Sequence, residues 1–451
     1  MSRRYAWIVL VVAAAAMVGS LPGRTQGLGL VTEPLLADLG IDRVSYAALN
    51  FWATIFGSAG ALGIGYAIDR YGSRLVVTSV LASLGVVVCL MSRADSYVAL
   101  AAGVTLTRAL GQSALSVVSL AIVGHWFVKR IDKAMAVYSV IISVGFMAAF
   151  PLVGYSVQAW GWRAAWLGIG AVLAGILAPL AALVVRRDPE AIGLLPDGER
   201  LNVPETPDLL VRRSFSEGGK VGPTVGPTEV GPTEDADGRT TAVLAGYTWR
   251  SALAMPSFWV FAIGTALYGL VASGIGLFNE SILAERGFGP NVYYQTLAVT
   301  AMTALIGNFL GGWLSSRVPL GRLMAAALFV LAGGVLALPF LASLAQVMAW
   351  ATAMGLGGGL VMVLFFSVWG RVFGRLHLGR IQGVAQALTV VASAVGPLLL
   401  AWSVEWTGSY AGMFQLLAGV IAAVAVTALL MSMPDAPPIP NRVPHAGDAT
   451  G

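Results

Sequence analysis

The chain has 451 residues, of which 57% are hydrophobic and 11% are charged, and its formal net charge is +5. Soluble globular domains carry about 25% charged residues, so this composition excludes a domain that folds in water. The basic balance would suit a nucleic-acid binder, but the charges are placed as they are in a membrane protein, and we predict no nucleic-acid partner.

Long apolar runs fill most of the sequence. A membrane-spanning helix needs about 20 mostly apolar residues, and backbone polar groups in lipid need partners within the protein. The runs are continuous rather than alternating, which favours helices over a closed barrel. We therefore predict an all-α integral membrane protein with about twelve spans. The first six are residues 5–30, 45–68, 75–92, 97–126, 134–158 and 162–185, and the second six are residues 256–283, 291–315, 321–342, 346–371, 381–405 and 409–432.

The first span contains Arg24, about 25 Å along the helix at 1.5 Å per residue. An ionisable residue at membrane depth suggests a functional site, and here a cation that binds a substrate anion. Gly19, Gly23 and Gly27 flank Arg24 at four-residue spacing, a small face that permits close helix approach. The alternative is an arginine that extends to the outer membrane surface.

The fourth span contains a second arginine, Arg108, near mid-membrane, with Gln112 one helical turn later. Intramembrane arginines either bind substrate or bond to polar neighbours as structural residues, and both interpretations of Arg108 stay open. Gln112 would share the same hydrogen-bond network.

Polar residues also occur in the seventh and eighth spans. Glu280 follows Asn279 near the outer end of the seventh span, and a buried carboxylate there is a proton-coupling candidate. A solvated carboxylate at the membrane surface is the alternative. In the eighth span Asn308 would bond the substrate or, alternatively, join neighbouring helices.

A polar region divides the chain into two halves. Residues 186–250 repeat Val-Gly-Pro-Thr and hold half of the acidic residues, 11 of 22, a composition that cannot bury enough apolar surface to fold. We predict an N-terminal six-helix half at 1–185, a flexible cytoplasmic linker at 186–250, a C-terminal six-helix half at 251–433 and a disordered cytoplasmic tail at 434–451.

Similar motifs recur at a constant offset of 247 residues. The matched pairs are Gly65 and Gly312, Arg70 and Arg317, Lys133 and Arg380, and Gly161 and Gly408. A duplicated six-helix unit is the usual plan of a secondary transporter, with the substrate near mid-membrane between the halves.

Lysines and arginines indicate the orientation. Of the 27 such residues, only Arg43, Arg93, Arg163 and Arg286 fall in loops on the side opposite the N-terminus. Cytoplasmic loops carry the excess of basic residues, so we predict cytoplasmic N- and C-termini. The expected location is the plasma membrane, or the inner membrane if the chain is bacterial.

The loop between the second and third spans carries a motif. Its sequence is Gly65-Tyr-Ala-Ile-Asp69-Arg70-Tyr-Gly72-Ser-Arg74. It resembles the cytoplasmic loop motif of the major facilitator superfamily, which implies a gating role for the named residues. Helix four, from Arg108 to Gln112, resembles that family's fourth-helix arginine motif. The helix-five antiporter signature is degraded, because Phe150 rather than glycine precedes Pro151.

Three segments resemble monocarboxylate and oxalate–formate carriers of that family. They are the first span from Trp7 through Pro22 and Arg24 to Glu33, the loop 373–383, and the segment 187–198. The resemblance implies alternating-access transport of a small organic anion such as a monocarboxylate, by proton symport or exchange, with Arg24 at the substrate. The eighth span departs from those carriers, since it has Ala304 and Asn308 where they place an aspartate–arginine pair.

Other function classes remain as alternatives. An exporter of hydrophobic compounds would have an apolar central cavity, and a transporter-like receptor would bind ligand without net flux. A membrane enzyme is disfavoured because the sequence shows no combination of nucleophile, base and metal ligands, and no phosphate-binding loop. We predict no cofactor and no metal site, with the bilayer and a small molecule as partners of a monomer.

Overall fold

The computed structural model describes residues 2–127, 130–187, 247–374 and 378–431. Most of the predicted linker and nearly all of the predicted tail lie outside these residues. In the first half the helices are α1 (Ser2–Gly19), α2 (Thr25–Gly29), α3 (Thr32–Leu39), α4 (Arg43–Tyr71), α5 (Ser73–Met91), α6 (Tyr97–Thr107), α7 (Ser116–Trp126), α8 (Ile131–Val172) and α9 (Ala178–Val184). In the second half they are α10 (Trp249–Ala254), α11 (Pro256–Glu285), α12 (Pro290–Leu314), α13 (Leu320–Ala337), α14 (Leu344–Val372), α15 (Leu378–Thr407) and α16 (Ala411–Leu430).

These helices match the predicted spans closely. The described residues contain 10 helical stretches that are long and apolar enough to cross a membrane. One of them, Lys133–Val184, covers the fifth and sixth predicted spans together, and α4 supplies the second. The prediction of an all-α, multi-pass membrane protein is confirmed.

The offset of 247 residues reappears in the geometry of the turns. Gly40 and Gly287 both have positive φ, at 63° and 83°, and so do Gly161 and Gly408, at 81° and 72°. Left-handed backbone of this kind favours glycine, because a Cβ would be strained there. Corresponding turns of the two halves therefore have the same backbone shape.

Matched carboxylates secure the first and last spans of each half. In the first half Asp38 accepts hydrogen bonds from Trp162 Nε1 at 3.0 Å and from Arg163 Nε at 2.9 Å. In the second half the carboxylate 247 residues later, Glu285, accepts from Ser409 Oγ at 2.5 Å and from the backbone N–H of Tyr410 at 3.4 Å. Each acid holds the turn that leads into the last span of its half.

The two halves touch at one end of the bundle. We call the end with the turns at Gly40, Gly161, Gly287 and Gly408 the far end, and the end where α1 begins the near end. A methyl group on Gly29 would lie 2.1 Å from the carbonyl oxygen of Gly276, so α2 and α11 are in backbone contact. One on Gly154 would lie 2.5 Å from the ring of Tyr294. These contacts close the seam between the halves at the far end.

Candidate substrate site

The first span is not the continuous helix that the sequence predicts over 5–30. Helix α1 ends at Gly19, a single 3-10 turn covers Leu21–Gly23, and Arg24 is extended with φ −89° and ψ 152° before α2 begins. Pro22 explains the break, because it has no N–H for the helix ladder and its ring crowds the preceding turn. Interrupted helices at membrane depth occur where backbone is buried in protein or lines a cavity.

The break lies directly against the fourth span. That span contains a π-helical segment, Arg108–Leu115, between α6 and α7. A methyl group on Gly23 would lie 2.1 Å from the carbonyl oxygen of Thr107 and 3.0 Å from Cα of Gly111. The predicted close approach of Gly23 is therefore confirmed, and π-helical turns are frequent at functional sites.

Arg24 is partly buried, and its side chain turns toward α7 and α8. Its Nε donates to Ser20 Oγ at 2.7 Å, and its Nη2 donates to Met17 Sδ at 2.9 Å and to Ser116 Oγ at 3.2 Å. The guanidinium also lies 5.2 Å from the ring centroid of Phe146. The alternative of an arginine that extends to the membrane surface does not fit these contacts.

Arg108 is fully buried, with 2% of its surface exposed. Its Nη1 donates to Thr25 Oγ1 at 2.8 Å and to Gln112 Oε1 at 2.6 Å, and its Nη2 donates to Asn50 Oδ1 at 2.9 Å. The predicted link between Arg108 and Gln112 is present. Because Thr25 follows Arg24 directly, Arg108 also fixes the backbone at the break.

Neither guanidinium has an acidic partner within the part of the chain that the structure describes. Ion pairs elsewhere in the described residues include those of Arg43 with Glu33, Arg163 with Asp38 and Arg286 with Glu285. The Nε of Arg108 is buried without any hydrogen-bond partner. Buried charges are normally paired, so two cations with only neutral neighbours leave an excess of positive charge around the break.

Sequence reasoning missed several of the residues that surround the two arginines. Asn50 is 1% exposed in α4, and Thr25 is 8% exposed at the start of α2. Ser116 and Phe146 contact Arg24 from α7 and α8. Asn50 could have been found from the sequence, because it is a lone amide in an apolar helix. Ser116 and Phe146 could not, because serine and phenylalanine are ordinary residues in a membrane span.

Asn308 does not belong to this group of contacts. It lies in α12 where that helix packs on α14, since a methyl group on Gly359 would lie 2.8 Å from the backbone nitrogen of Asn308. Glu280 lies at the far end of α11, and its Oε2 is buried without a hydrogen-bond partner among the described residues. Of the residues predicted to bind substrate, Arg24, Arg108 and Gln112 thus lie together, and Asn308 lies apart from them.

The loop motif lies at the near end. Gly72 joins α4 to α5 with φ +80°, and a methyl group on it would lie 2.4 Å from Cγ of Arg187. Arg74 Nε donates to the carbonyl oxygen of Ala182 at 2.7 Å, which links α5 to α9, and Arg70 lies over the ring of Tyr71. Gly65 and Asp69 fall in the last turns of α4, and the side chain of Asp69 lies outside the described residues.

Two cavities of about 540 Å³ lie near the break and the seam. One is lined by Gln158, Asn291 and Gln295 from both halves. The other is almost wholly apolar and lies beside the break, between Pro22, Leu152 and Trp160.

The comparisons with known proteins agree with this architecture. The chain matches the Major Facilitator Superfamily over residues 6–345 and again over 261–450. It is 27% identical to monocarboxylate transporter 12-B of Danio rerio over 355 residues, covering 76% of this chain and 69% of that protein. It is 30% identical to monocarboxylate transporter 6 of Mus musculus over 176 residues, covering 38% and 36% of the two chains.

Solved structures share the fold at low sequence identity. Two are of a bacterial homolog of the human lysosomal transporter Spinster, both in inward-facing conformations, one unoccupied and one occupied. Their TM-scores are 0.65 and 0.63 at 15% identity. The first covers 95% of this chain and 96% of that structure, and the second covers 94% and 92%. The chain therefore belongs to the Major Facilitator Superfamily, with similarity to its monocarboxylate transporters, and is a multi-pass membrane transporter of a small molecule rather than an enzyme.

Proposed function

We propose that the chain is a secondary active carrier of a small organic anion, such as a monocarboxylate, that works by alternating access. The observation that carries the proposal is the pair of guanidinium groups around the break of the first span, whose described partners are all neutral. A carboxylate would offset the excess positive charge, and arginine binds carboxylates with two parallel hydrogen bonds.

Arg24 is the residue we assign to the substrate. It is the more exposed of the two arginines, and its partners are two serine hydroxyls, a thioether sulfur and an aromatic ring. A carboxylate is a stronger acceptor than any of these neutral groups, because hydrogen bonds between two charged groups are shorter and stronger. An incoming anion would therefore replace the contact of Arg24 with Met17 or Ser116.

Arg108 and Gln112 stabilise the site without contacting the substrate. Arg108 donates to three neutral acceptors and is closed to solvent, so its charge acts on the substrate through the electrostatic field rather than by contact. Removal of that charge would weaken anion binding and would also loosen the break. Asn308, from the opposite half, would complete the site when the near end closes.

The two ends of the bundle take different roles in this proposal. With the N-terminus in the cytoplasm, as the lysines and arginines indicate, the far end faces outward and the contact of Gly29 with Gly276 closes it. The loop motif from Gly65 to Arg74 would then form the cytoplasmic gate. The names of the relatives from Danio rerio and Mus musculus support the same substrate class.

The test is uptake of a panel of labelled small carboxylates into proteoliposomes that contain the purified chain. We expect uptake of at least one acid, and its loss in Arg24→Ala. Arg322→Ala is the matched control, because Arg322 is exposed at the near end of α13. Uptake by Arg24→Ala at the wild-type rate would refute the role of Arg24, and no uptake of any acid by folded protein would refute the substrate class.

An exporter of hydrophobic compounds is the second candidate, and the apolar cavity beside Pro22, Leu152 and Trp160 favours it. Such a compound would enter from the lipid and would not need Arg24. The substitution Leu152→Trp would fill this cavity. Loss of dye efflux in Leu152→Trp, with efflux kept in Arg24→Ala, would favour the exporter over the anion carrier.

A further inference from the structure

The two cavities near the seam share one residue. Tyr155 of α8 lines both the cavity of Gln158, Asn291 and Gln295, which we call the amide cavity, and the apolar cavity. Leu152, three residues before Tyr155, lines the apolar cavity only. The two cavities are therefore neighbours, on either side of the ring of Tyr155.

The apolar cavity faces the membrane and has the length of one leaflet. Leu152 and Trp160 at its edge are 66% and 68% exposed, and exposed apolar side chains of a membrane protein contact lipid. The part of α8 after Gly161, together with the turn that follows it, lines this cavity from Ala164 to Leu173. That stretch is about 14 Å long at 1.5 Å per residue, close to half of the roughly 30 Å hydrocarbon core. A groove of this length and composition fits one extended acyl chain.

The edge of the apolar cavity at the far end lies at the level of the lipid headgroups. Trp160 directly precedes the turn at Gly161, and its ring contacts that of Tyr155 edge to face, with the centroids 6.4 Å apart. Tryptophan and tyrosine are enriched where a membrane meets water. The chain of a bound lipid would thus run from this aromatic pair toward the membrane centre, and its head would lie beside Tyr155.

The amide cavity offers hydrogen bonds to such a head from both halves. Gln158 comes from α8, and Asn291 and Gln295 come from successive turns of α12. Gln158 lies within hydrogen-bonding range of the Tyr294 hydroxyl across the seam. Asn291 and Gln295 are exposed and have no hydrogen-bond partner among the described residues. An amide that contacts lipid costs free energy unless it is hydrogen-bonded, so these two side chains indicate a polar ligand.

The charges around the groove favour an uncharged head. None of the described residues that line the two cavities is charged. The charge of Glu280 acts on Tyr294 and would repel an anionic head, and Arg163 at the same end is paired with Asp38. A phosphate would lose water here without gaining a cation, whereas a hydroxyl group only needs amides.

We propose that the two cavities together bind a single-chain amphiphile with an uncharged, hydroxyl-bearing head, such as a monoacylglycerol, from the leaflet at the far end. Its chain fills the apolar cavity against Leu21 and Pro22. Its head bonds Gln158 of one half and Asn291 and Gln295 of the other. Because these amides converge only while the halves touch, the amphiphile favours the closed far end. This lipid is distinct from the anion assigned to Arg24, so the inference goes beyond the proposed function.

The first test locates the amphiphile by photolabelling. The full chain would be placed in phosphatidylcholine nanodiscs, because sugar detergents are themselves amphiphiles with uncharged heads. A monoacylglycerol with a diazirine in its chain should label peptides between residues 149 and 177. Monooleoylglycerol should compete about tenfold better than methyl oleate, which has the same chain and no hydroxyl group, a factor that one or two hydrogen bonds supply. It should also compete better than anionic oleoyl lysophosphatidylglycerol.

Two variants with matched controls make the labelling specific. Leu152→Trp fills the apolar cavity and should lose the label, whereas Leu416→Trp, at a leucine of α16 that is 62% exposed, should keep it. Asn291→Leu combined with Gln295→Leu should make monooleoylglycerol and methyl oleate equal competitors. Gln415→Leu, which removes an exposed amide outside both cavities, should leave the difference unchanged.

The second test measures closure without a substrate. Spin labels would be placed at Asp95→Cys and Ala342→Cys in a Cys89→Ser background, because Asp95 and Ala342 are exposed at the far end. Monooleoylglycerol should shift the distance between the labels toward shorter values, and methyl oleate should not.

Three results would overturn the inference. They are labelling that is unchanged in Leu152→Trp, equal competition by methyl oleate in the wild type, and a label distance that does not respond to monooleoylglycerol. Neither test uses transport. A chain that takes up none of the carboxylates can still bind the amphiphile, so failure of the proposed function and failure of this inference are distinguishable.

Discussion

The first and seventh spans occupy equivalent places in the two halves, yet they differ in backbone conformation and in charge. The first span breaks at Ser20–Arg24, whereas α11 continues through the corresponding residues and bends only at Phe278. The residue that lies 247 positions after Arg24 is Val271, a buried apolar residue. The halves therefore share a scaffold, while among the described residues of these two spans the arginine and the break, where we propose that an anion binds, lie in the first half.

The largest expected effect comes from the glycine pair at the far end. Gly29→Ala would place a methyl group 2.1 Å from the carbonyl oxygen of Gly276, so the far end could not close and transport should be lost. In Gly276→Ala the added methyl group would meet the flexible side chain of Gln26 at 3.4 Å or more, an ordinary contact, so this variant should retain most transport. Uptake of an accepted carboxylate by both variants measures the difference, and equal activity would contradict the closed arrangement.

Substitutions of the two arginines should differ in their effect on the free energy of unfolding. Arg108→Met leaves the acceptor oxygens of Thr25, Asn50 and Gln112 without their donor, which should lower the free energy of unfolding by about 3 kcal/mol. Arg24→Met removes weaker contacts and an unpaired charge, so we expect the free energy of unfolding to change by less than about 1 kcal/mol. Thermal unfolding of both variants in detergent is the measurement, and a larger loss in Arg24→Met would reverse the assignment of roles.

The contact between the first and fourth spans gives a smaller effect. Gly23→Ala forces the two spans apart, because its methyl group would lie 2.1 Å from the carbonyl oxygen of Thr107, and we expect a loss of about 2 kcal/mol. Gly168→Ala has open space around the added methyl group and is the control. The melting temperatures of the two variants should differ by several degrees. Equal melting temperatures would contradict the contact between the break and the fourth span.

The smallest effect concerns the turns that the halves share. Gly161→Ala and Gly408→Ala each add a methyl group in open space, but at positive φ, which costs about 1–2 kcal/mol. Since the two turns have the same backbone shape, the two losses should be equal within error. Unequal losses of thermal stability would show that the repeat has diverged at these turns.

Much of the fold was predictable because membrane spans are specified by length and hydrophobicity. The 247-residue offset was visible in a few motifs, and the same offset also relates Gly40 to Gly287, Asp38 to Glu285 and Glu33 to Glu280. These later pairs were not found from sequence, because single glycines and carboxylates at loop ends are too common to be noticed without the turn geometry.

The site was predictable only in part. Arg24, Arg108 and Gln112 stood out because polar residues are costly in an apolar span. The break at Ser20–Arg24 was missed although Pro22 and the adjacent glycines signalled it, since hydrophobicity alone favours one long helix. The π-helical segment at Arg108–Leu115 and the bend at Phe278 arise from packing against neighbouring spans, and nothing in the local sequence indicates them.

The matched carboxylates Asp38 and Glu285 have a mechanical consequence. Each ties the end of the first span of its half to the start of the last, so that these two spans cannot slide past each other without breaking hydrogen bonds. A half braced in this way should rotate as one rigid body. A small displacement at the Gly29–Gly276 contact would then move the near end of the same half in the opposite direction.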